Sequence, residues 1–355
     1  HVHYKTCSTF DSSTTIGSIG KAIDCGASVF NNKLIPVLGG TPALGRYCLF
    51  GNLFARMGIG STGDIYRLDR HPSMRKHPVT PATESDLRLH IGQQTNKKIG
   101  LINVLQLDQN IEHWTAHLKE DEEVVLIDAL NDEHLQKIGR WMNAQANGSG
   151  TMFSAGPSAI EMALGSYWAG TGMFNKEKQW AAPGKATPLL VISGSCSPVT
   201  AAQIIYAKAI GFKEVIIDVA KILSGDLEKE TRNINALLQQ QENVVVHTGD
   251  IQANNLAAEK VGTALGMLAK AAVGKSLAKR VVIAGGDTSS YAARAMEIEA
   301  VEMIAPLVSG APLCSAISPN KYMNVVEVNF KGGQVGSEDY FEVLLNGKLP
   351  VTVAH

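Results

Sequence analysis

The sequence predicts an α/β protein of two domains, each a largely parallel sheet flanked by helices, with a cleft between them. Short apolar segments of strand length alternate with longer helix-like segments along the whole chain, which is typical of βαβ units. The 355 residues suffice for two domains of ordinary size. Hydrophobic residues make up 45% and charged residues 18%, so each domain can bury a core and a disordered chain is excluded.

Residues 1–170 are predicted to form the N-terminal domain. A polar loop at residues 67–81 is rich in arginine, lysine and histidine, and the polar run at residues 83–86 starts a helix. The other predicted elements are strands at residues 1–9, 98–107, 123–130 and 151–155, short apolar segments at 34–37 and 47–55, and helices at 18–30 and 132–146.

Residues 186–355 are predicted to form the C-terminal domain. The linker is placed at residues 169–187, where glycine and proline are frequent and β-branched residues are few. The predicted strands of this domain are 188–193, 214–218, 243–248, 280–284 and 325–330, and its predicted helices are 199–211, 227–240, 255–273, one from residue 288 and one near 338–345.

Charge and cysteine content exclude several classes of function. The chain has 32 basic and 33 acidic residues, which argues against nucleic acid as a partner. Its five cysteines are far apart and form no C-x-x-C pair, so neither a disulfide framework nor a protein-bound metal is predicted. No apolar run reaches the ~18 residues that span a bilayer, and no signal peptide opens the chain. We therefore expect a cytoplasmic protein with free thiols and no membrane partner.

The strongest local motif is the strand end VVIAGGDTSS at residues 281–290. Gly285 and Gly286 allow a sharp turn and a close approach to the backbone. Thr288 and Ser289 then open a helix, whose first N–H groups attract an anion. Ligands of parallel sheets sit at the carboxyl ends of strands, so this position suits a phosphate.

Asp287 lies inside that motif and has three interpretations. A carboxylate beside a polyphosphate is repelled unless a cation or a transferable proton intervenes. Asp287 can therefore approach Mg²⁺ through water, act as the catalytic base, or cap the helix.

A second strand end, VISGSCSPVT at residues 191–200, resembles the first. Its Ser193, Gly194 and Ser195 do not meet the G-x-S-x-G pattern of a hydrolase nucleophile, so ligand binding or helix capping is the interpretation.

A third strand end, KGGQVGSE at residues 331–338, contains Gly332, Gly333 and Gly336. It is either a plain tight turn or a glycine wall over a nucleotide, and the two similar motifs in the same domain favour the nucleotide.

In the first half, residues 4–12 (YKTCSTFDS) combine a cation, hydroxyl groups and a carboxylate at one strand end. Lys5 suits the carboxylate of a polyhydroxy acid, whereas Ser8, Asp11 and Ser12 suit its hydroxyl groups. The alternative is a strand end with an Asx-type turn at Asp11. Arg75, in the cationic loop, is a further candidate for binding the sugar acid. The alternative interpretation is that Arg75 is simply a solvent-exposed loop residue.

Together these segments resemble the four-carbon acid-sugar kinase family. The matching stretches occur in order and cover nearly the whole chain: YKTCSTFDS at 4–12, GSIGKA at 17–22, HPVTPATESDL at 77–87, SGSCSPVTAAQ at 193–203, GGDTSS at 285–290, GAPL at 310–313 and KGGQVGSEDYF at 331–341. The resemblance implies an N-terminal domain that binds the sugar acid and a C-terminal domain that binds ATP through the three glycine-rich turns. Phosphoryl transfer from ATP further predicts Mg²⁺ as a cofactor that bridges the phosphates. The resemblance also implies a terminal phosphate ester as product. Whether the protein forms a homodimer is left open by the sequence.

The resemblance has one departure. Members of the family usually begin with a strand that leads to an Asp-Asp-x-Thr-Gly motif, which this sequence does not contain. Two hypotheses therefore stand: an ATP-dependent kinase for a threonate, erythronate or 3-oxo-tetronate type of acid, and a truncated or non-catalytic protein that binds nucleotide or sugar acid. A nicotinamide-dependent dehydrogenase is disfavoured because no strand is followed by G-x-G-x-x-G.

Overall fold

The computed structural model describes residues 1–30, 32–58, 62–77, 79–173, 179–249, 258–324 and 326–349. The chain divides into two compact units, the first with residues 1–57 and 62–173 and the second with Gly58 and the described residues from 179 onward. Each unit has its own sheet and core, and each is described by itself.

The first unit is built on a five-stranded sheet in the order β1-β8-β2-β7-β6, with every pair of neighbours parallel. A second, antiparallel sheet has the order β3-β4-β5. The strands are β1 (Val2–Lys5), β2 (Ile35–Leu38), β3 (Arg46–Leu49), β4 (Asn52–Arg56), β5 (Ile65–Arg67), β6 (Lys98–Ile102), β7 (Glu122–Ile127) and β8 (Phe153–Gly156), and the helices are α1 (Ile19–Phe30), α2 (Leu87–Gly92), α3 (Asp132–Ser149) and α4 (Ala159–Gly170).

Helices cover both faces of this parallel sheet. In β7, Val124 and Leu126 belong to a core with residues of α1 and α2, whereas Val125 and Ile127 belong to a second core with residues of α3 and α4. This alternation follows from the opposite directions of successive side chains in a strand. A strand buried on both faces reads as a continuous apolar run, which is why the sequence predicted β7.

The second unit is built on a seven-stranded sheet in the order β10-β11-β9-β12-β15-β14-β13. The first five strands are parallel, and β14 and β13 continue the sheet in antiparallel fashion beyond β15. The strands are β9 (Leu189–Ser193), β10 (Lys213–Ile216), β11 (Val244–His247), β12 (Arg280–Ala284), β13 (Ala300–Ala305), β14 (Leu313–Ile317) and β15 (Glu327–Lys331), and the helices are α5 (Pro198–Ala209), α6 (Val219–Ser224), α7 (Glu228–Gln239), α8 (Ala258–Gly274), α9 (Gly286–Ala295) and α10 (Tyr340–Asn346).

The fold class that the sequence predicted is confirmed, since both units are α/β with a largely parallel sheet. The cleft between the domains stays a prediction. The prediction lacked β5, α6, β13 and β14. Four of the six residues of β13 are exposed, whereas three of the five residues of β14 are buried. The predicted first strand at 1–9 is shorter in the structure and ends at Lys5.

No helix in the described ranges has the length and apolar character needed to cross a membrane.

Candidate active site

Three central strands of the second unit end side by side. The last residue of β12, Ala284, is in register with Ser193 at the end of β9 and with Lys331 at the end of β15. All three strands are parallel, so the segments that follow them leave the same edge of the sheet. We call residues 193–197 the first turn, 285–289 the second turn and 332–336 the third turn. The structure therefore brings together the three glycine-rich motifs that the sequence singled out.

The first turn is shaped by its own hydroxyl groups. Ser193 Oγ accepts a hydrogen bond from Ser195 N at 3.4 Å, and Ser195 Oγ accepts one from Ser197 N at 3.2 Å. Ser197 is the N-cap of α5 and accepts from Val199 N at 3.2 Å, and Pro198 occupies the first helical position. The turn thus delivers the chain directly into the N-terminus of α5.

The second turn packs tightly against the first. Gly285 has φ of 120°, which favours glycine, and it is the N-cap of α9. A Cβ atom at Gly194 would lie 2.5 Å from Thr288 Oγ1, and one at Gly285 would lie 2.8 Å from the same oxygen. Ser289 donates from Oγ back to Ile283 O at 3.3 Å. Gly286, by contrast, has nothing within 4 Å of its Cβ position, so open space lies beside its backbone.

The third turn closes onto the first. A Cβ at Gly333 would lie 2.8 Å from Ser195 Oγ and 3.0 Å from Ser197 Cβ. Gly332 O accepts a hydrogen bond from Val335 N at 3.1 Å. Gly336 has φ of 87° and borders the ring of Tyr340, which any Cβ at this position would overlap. The three turns are therefore in van der Waals contact, and larger side chains are excluded from their junctions.

Lys331 lies beneath this junction and was absent from the predicted site residues. Its side chain is 1% exposed, and Nζ donates to Thr200 Oγ1 at 3.0 Å. Thr200 Oγ1 in turn donates to Gly333 O at 3.0 Å, and Lys331 O accepts from Gly285 N at 2.9 Å. One residue thus connects the second and third turns to α5. Burial lowers the pKa of Lys331 to about 7.

Asp287 is exposed in the first turn of α9. Its interpretation as the N-cap of that helix is wrong, because Gly285 occupies the cap position and no side chain caps the helix. Its two other interpretations, as the base or as a carboxylate on the metal side, stay predictions.

The first unit has its candidate residues at the corresponding edge of its own sheet. Lys5 is exposed at the end of β1, and Ser8 and Asp11 are half-buried in the segment that follows. Phe10 between them is buried and has φ of 55°, a left-handed conformation that is uncommon for a side chain of this size. Such backbone strain persists where surrounding structure enforces it, and it often marks binding segments.

Ser12 differs from its neighbours because its hydroxyl is already engaged. Its Oγ donates to Phe10 O at 2.9 Å, lies 2.9 Å from His90 Nε2 and accepts from Gln94 Nε2 at 3.0 Å. These contacts tie the β1 segment to α2. Arg75 is exposed in a short 3₁₀-helix, and its backbone N–H donates to His71 O at 3.1 Å.

A buried arginine close to this segment was also missed by the sequence analysis. Arg46 is 2% exposed, and its Nη1 donates to Leu44 O and Arg56 O, both at 3.0 Å. Within the described part of the chain, Arg46 Nε has no hydrogen-bond partner and the guanidinium has no carboxylate within 4.0 Å. Burial lowers the pKa of Arg46, and the charges of Cys7 and Asp11 partly offset that effect.

Two further buried polar atoms belong to the same neighbourhood. Thr41 pairs with Arg46 through two backbone hydrogen bonds of 2.8 and 3.2 Å, so their side chains share one face. Thr41 Oγ1 and His71 Nε2 both lack a hydrogen-bond partner among the described residues. Burial lowers the pKa of His71, and the charge of Arg46 lowers it further. This cluster offers donors and a positive charge that suit an anion.

The opposite edge of the second unit's sheet holds a cavity of about 660 Å³ next to the starts of β9 and β12. Buried Arg280 lines this cavity; its Nε pairs with Glu327 Oε2 at 2.6 Å, and its Nη1 donates to Leu344 O and Gly184 O. Ligands of parallel sheets bind at the carboxyl ends of strands, whereas this cavity lies at the amino ends of β9 and β12.

Among the described residues, no group of three or more histidine, cysteine or acidic side chains could hold a metal ion. Mg²⁺ in phosphoryl-transfer sites is commonly held by substrate phosphates and one or two carboxylates, and the exposed Asp287 at the second turn fits that pattern.

The fold and the site define a two-domain α/β protein in which three glycine-rich turns meet at one edge of the second unit's sheet. Residues 1–164 match the family model of a sugar-binding N-terminal domain, and residues 190–341 match that of a nucleotide-binding C-terminal domain. A crystal structure from Salmonella typhimurium LT2 has the same fold, with a TM-score of 0.69, 24% identity and coverage of 97% of this chain and 80% of that one. A second, from Haemophilus influenzae, has a TM-score of 0.63, 21% identity and coverage of 96% and 80%.

The chain belongs to the four-carbon acid sugar kinase family. The 3-oxo-isoapionate kinase of Paraburkholderia graminis is 38% identical to it, over 98% of this chain and 78% of that protein. The 3-oxo-tetronate kinase of Methylobacterium radiotolerans is 26% identical, over 96% of this chain and 80% of that protein. The predicted family is thereby confirmed, together with a kinase and transferase activity at the level of the family.

Proposed function

We propose that this protein is an ATP-dependent kinase that phosphorylates a hydroxyl group of a four-carbon acid sugar of the threonate, erythronate or 3-oxo-tetronate type. The observation that carries the proposal is the junction of three glycine-rich turns at the carboxyl edge of the second unit's sheet. Two helices of at least ten residues, α5 and α9, begin at that junction and direct their free N–H groups toward it.

The proposed nucleotide site uses backbone more than side chains. The residues that we assign to it are Ser193, Gly194, Ser195, Gly285, Gly286, Thr288, Ser289, Gly332, Gly333 and Gly336. Their small size lets polyphosphate oxygens approach the N–H groups closely. Mg²⁺ would neutralise the charge of the phosphates. Asp287 is our candidate for the catalytic base or for a carboxylate that faces the metal ion.

The proposed sugar-acid site lies in the first unit, at residues Lys5, Ser8, Asp11, Ser12 and Arg75. Lys5 and Arg75 are assigned to the carboxylate, and Asp11 with the two serines to the hydroxyl groups. Buried Arg46, which has no carboxylate partner within the described residues, adds a positive charge close to this segment and supports an acidic rather than a neutral sugar. In this proposal residues 1–170 form the sugar-acid domain and residues 186–355 the nucleotide domain.

A substrate panel tests the proposal. Release of ADP would be measured with D- and L-threonate, D-erythronate, 3-oxo-tetronate and 3-oxo-isoapionate, and ³¹P NMR would identify the ester. The neutral tetritols threitol and erythritol, which lack the carboxylate, are the matched controls. We expect turnover with at least one acid and none with the tetritols. Absence of turnover with every acid would refute the kinase proposal. Thermal stabilisation by ATP without turnover would instead favour a non-catalytic binding protein.

We also propose the cytoplasm as the location, because all five cysteines are free thiols, which persist in a reducing compartment.

A further inference from the structure

The amine of Lys331 is buried at the junction of the three turns. Lys331 Nζ has a hydroxyl, Thr200 Oγ1, at 3.0 Å and the ring centroid of Tyr340 at 5.3 Å. Within the described residues no carboxylate lies within 4.0 Å of this amine. Burying an ammonium without a counter-ion costs free energy, so burial favours either loss of the proton or binding of an anion.

The surroundings of Lys331 disfavour its ammonium form further. The N-termini of α5 and α9, which carry partial positive charge, lie at the same junction. Tyr340 does not supply an anion, because burial raises the pKa of its phenol and the hydroxyl donates to Asn329 Oδ1 at 2.7 Å. The charged side chains on the helices packed around Lys331, and in the segment before α10, are Lys208, Asp287, Arg294, Glu338, Asp339 and Glu342. Of these, Glu342 accepts from Tyr206 and Asp339 from Ser337. On the strands, Arg280 of β12 pairs with Glu327 of β15 at 2.6 Å, at the opposite end of both strands.

We infer that Lys331 is a positioning residue of the nucleotide site, and that binding of the nucleotide polyphosphate is coupled to uptake of one proton by its amine. The inference rests on the proposed function, since it takes the three turns as the phosphate site. The proton comes from solvent, and no covalent bond of the nucleotide changes. In the free protein the amine loses its proton near neutral pH, because burial lowers its pKa to about 7. The phosphates supply the missing anion, and the ammonium becomes the stable form.

The same contacts explain how the charge would act on the turns. Protonated Lys331 donates to Thr200, which holds Gly333 O, while the backbone carbonyl of Lys331 holds Gly285 N. A stronger, charge-assisted hydrogen bond at Thr200 fixes the third turn against α5. Nucleotide binding thus tightens the turns that contact it through a side chain that is itself 1% exposed.

Isothermal titration calorimetry tests this inference. Binding of Mg-ADP and of a non-hydrolysable ATP analogue would be measured at pH 8 in buffers of different ionisation enthalpy, which yields the number of protons taken up. With a pKa of about 7 in the free protein, we expect uptake of about 0.9 proton at pH 8. The Lys331→Met variant should show no such uptake and should bind the nucleotide at least about 30-fold more weakly. Lys331→Arg, which keeps its charge at every pH used, should restore much of the affinity without uptake.

Wild-type protein alone provides a second measurement should a variant fail to fold. Its nucleotide affinity should fall close to tenfold per pH unit between pH 7.5 and 9.5, where the phosphates no longer titrate. Uptake near zero, or an affinity that Lys331→Met leaves unchanged, would overturn the inference while turnover could still support the kinase. Failure of the wild-type protein to bind either nucleotide would overturn both the inference and the proposed function.

Discussion

Replacement of Lys331 by methionine should stabilise the nucleotide-free protein at neutral and acidic pH, although it removes a hydrogen bond. The side chain is 1% exposed and its amine has one hydrogen-bond partner among the described residues, Thr200 Oγ1 at 3.0 Å. Methionine is of similar length and carries no charge, so it fills the same space without an ammonium. The variant therefore isolates the cost of the buried charge.

The magnitude follows from the pKa of Lys331. An ordinary lysine has a pKa of 10.5, whereas burial lowers that of Lys331 to about 7. At about 1.36 kcal/mol per pKa unit, the buried charge destabilises the folded state by up to about 5 kcal/mol below pH 7. Between pH 7 and 10.5 the unfolded chain binds more protons than the folded one, so the free energy of unfolding rises with pH and this penalty disappears. Loss of the hydrogen bond costs about 1 kcal/mol.

Differential scanning calorimetry of both proteins at pH 6, 7, 8, 9 and 10 would measure the effect. Comparing the variant with wild type at each pH cancels all other titrating groups. We expect the variant to be more stable at pH 6, and we expect the difference to shrink and then reverse slightly by pH 10. A difference that stays constant across this range would show that the Lys331 ammonium is not destabilised by burial, and the reasoning would fail.

Four further substitutions probe the two candidate sites. Gly336→Ala should lower the free energy of unfolding by about 1–3 kcal/mol, because the added Cβ overlaps the Tyr340 ring and φ of this residue is 87°. Gly286→Ala, with open space around it, should leave thermal stability unchanged and weaken nucleotide binding at least about tenfold. Equal melting temperatures for both variants would contradict the packing argument. Arg46→Met should raise the KM for the sugar acid with little change in the Kd for ATP, as measured by steady-state kinetics and calorimetry, and a change in both constants would assign Arg46 to the fold instead. Asp287→Asn should lower kcat about 10²- to 10⁴-fold while nucleotide affinity is kept, and unchanged kcat would remove Asp287 from the mechanism.

The three glycine-rich turns could be predicted because each has a local signal in the sequence. Gly285 follows directly on the apolar run VVIA of β12, and Gly332 and Gly333 follow directly on β15, whose sequence is EVNFK. Small residues then open a helix or a turn in both places. Their mutual contact could not be predicted in the same way. It depends on the neighbour order β9-β12-β15 and on a register that joins residues about 50 to 90 positions apart in the chain.

Lys331 and Arg46 were missed for a related reason. A single cation at the end of an apolar segment normally lies in solvent, and only tertiary structure reveals that Lys331 is 1% and Arg46 2% exposed. The sequence did hold a weak signal for Lys331, since a lysine ended the strand V-N-F-K just before two glycines. The same limit applied to Asp287, whose capping role was excluded only when the helix start was located at Gly285.

The antiparallel strands β14 and β13 extend the sheet beyond β15, although β14 pairs with β15 only at Glu327–Asn329. Without them β15 would be the outer strand of the sheet, and water would reach its side. With them, Asn329 of β15 binds Ala311 O and Pro312 O in the loop before β14, and it also accepts the Tyr340 hydroxyl. The loop before β14 therefore holds Asn329, and Asn329 holds Tyr340, whose ring centroid lies 5.3 Å from the Lys331 amine. On the inference that Lys331 takes up a proton, we expect substitutions in that loop to change the pH range over which the protein binds nucleotide, with the glycine-rich turns unchanged.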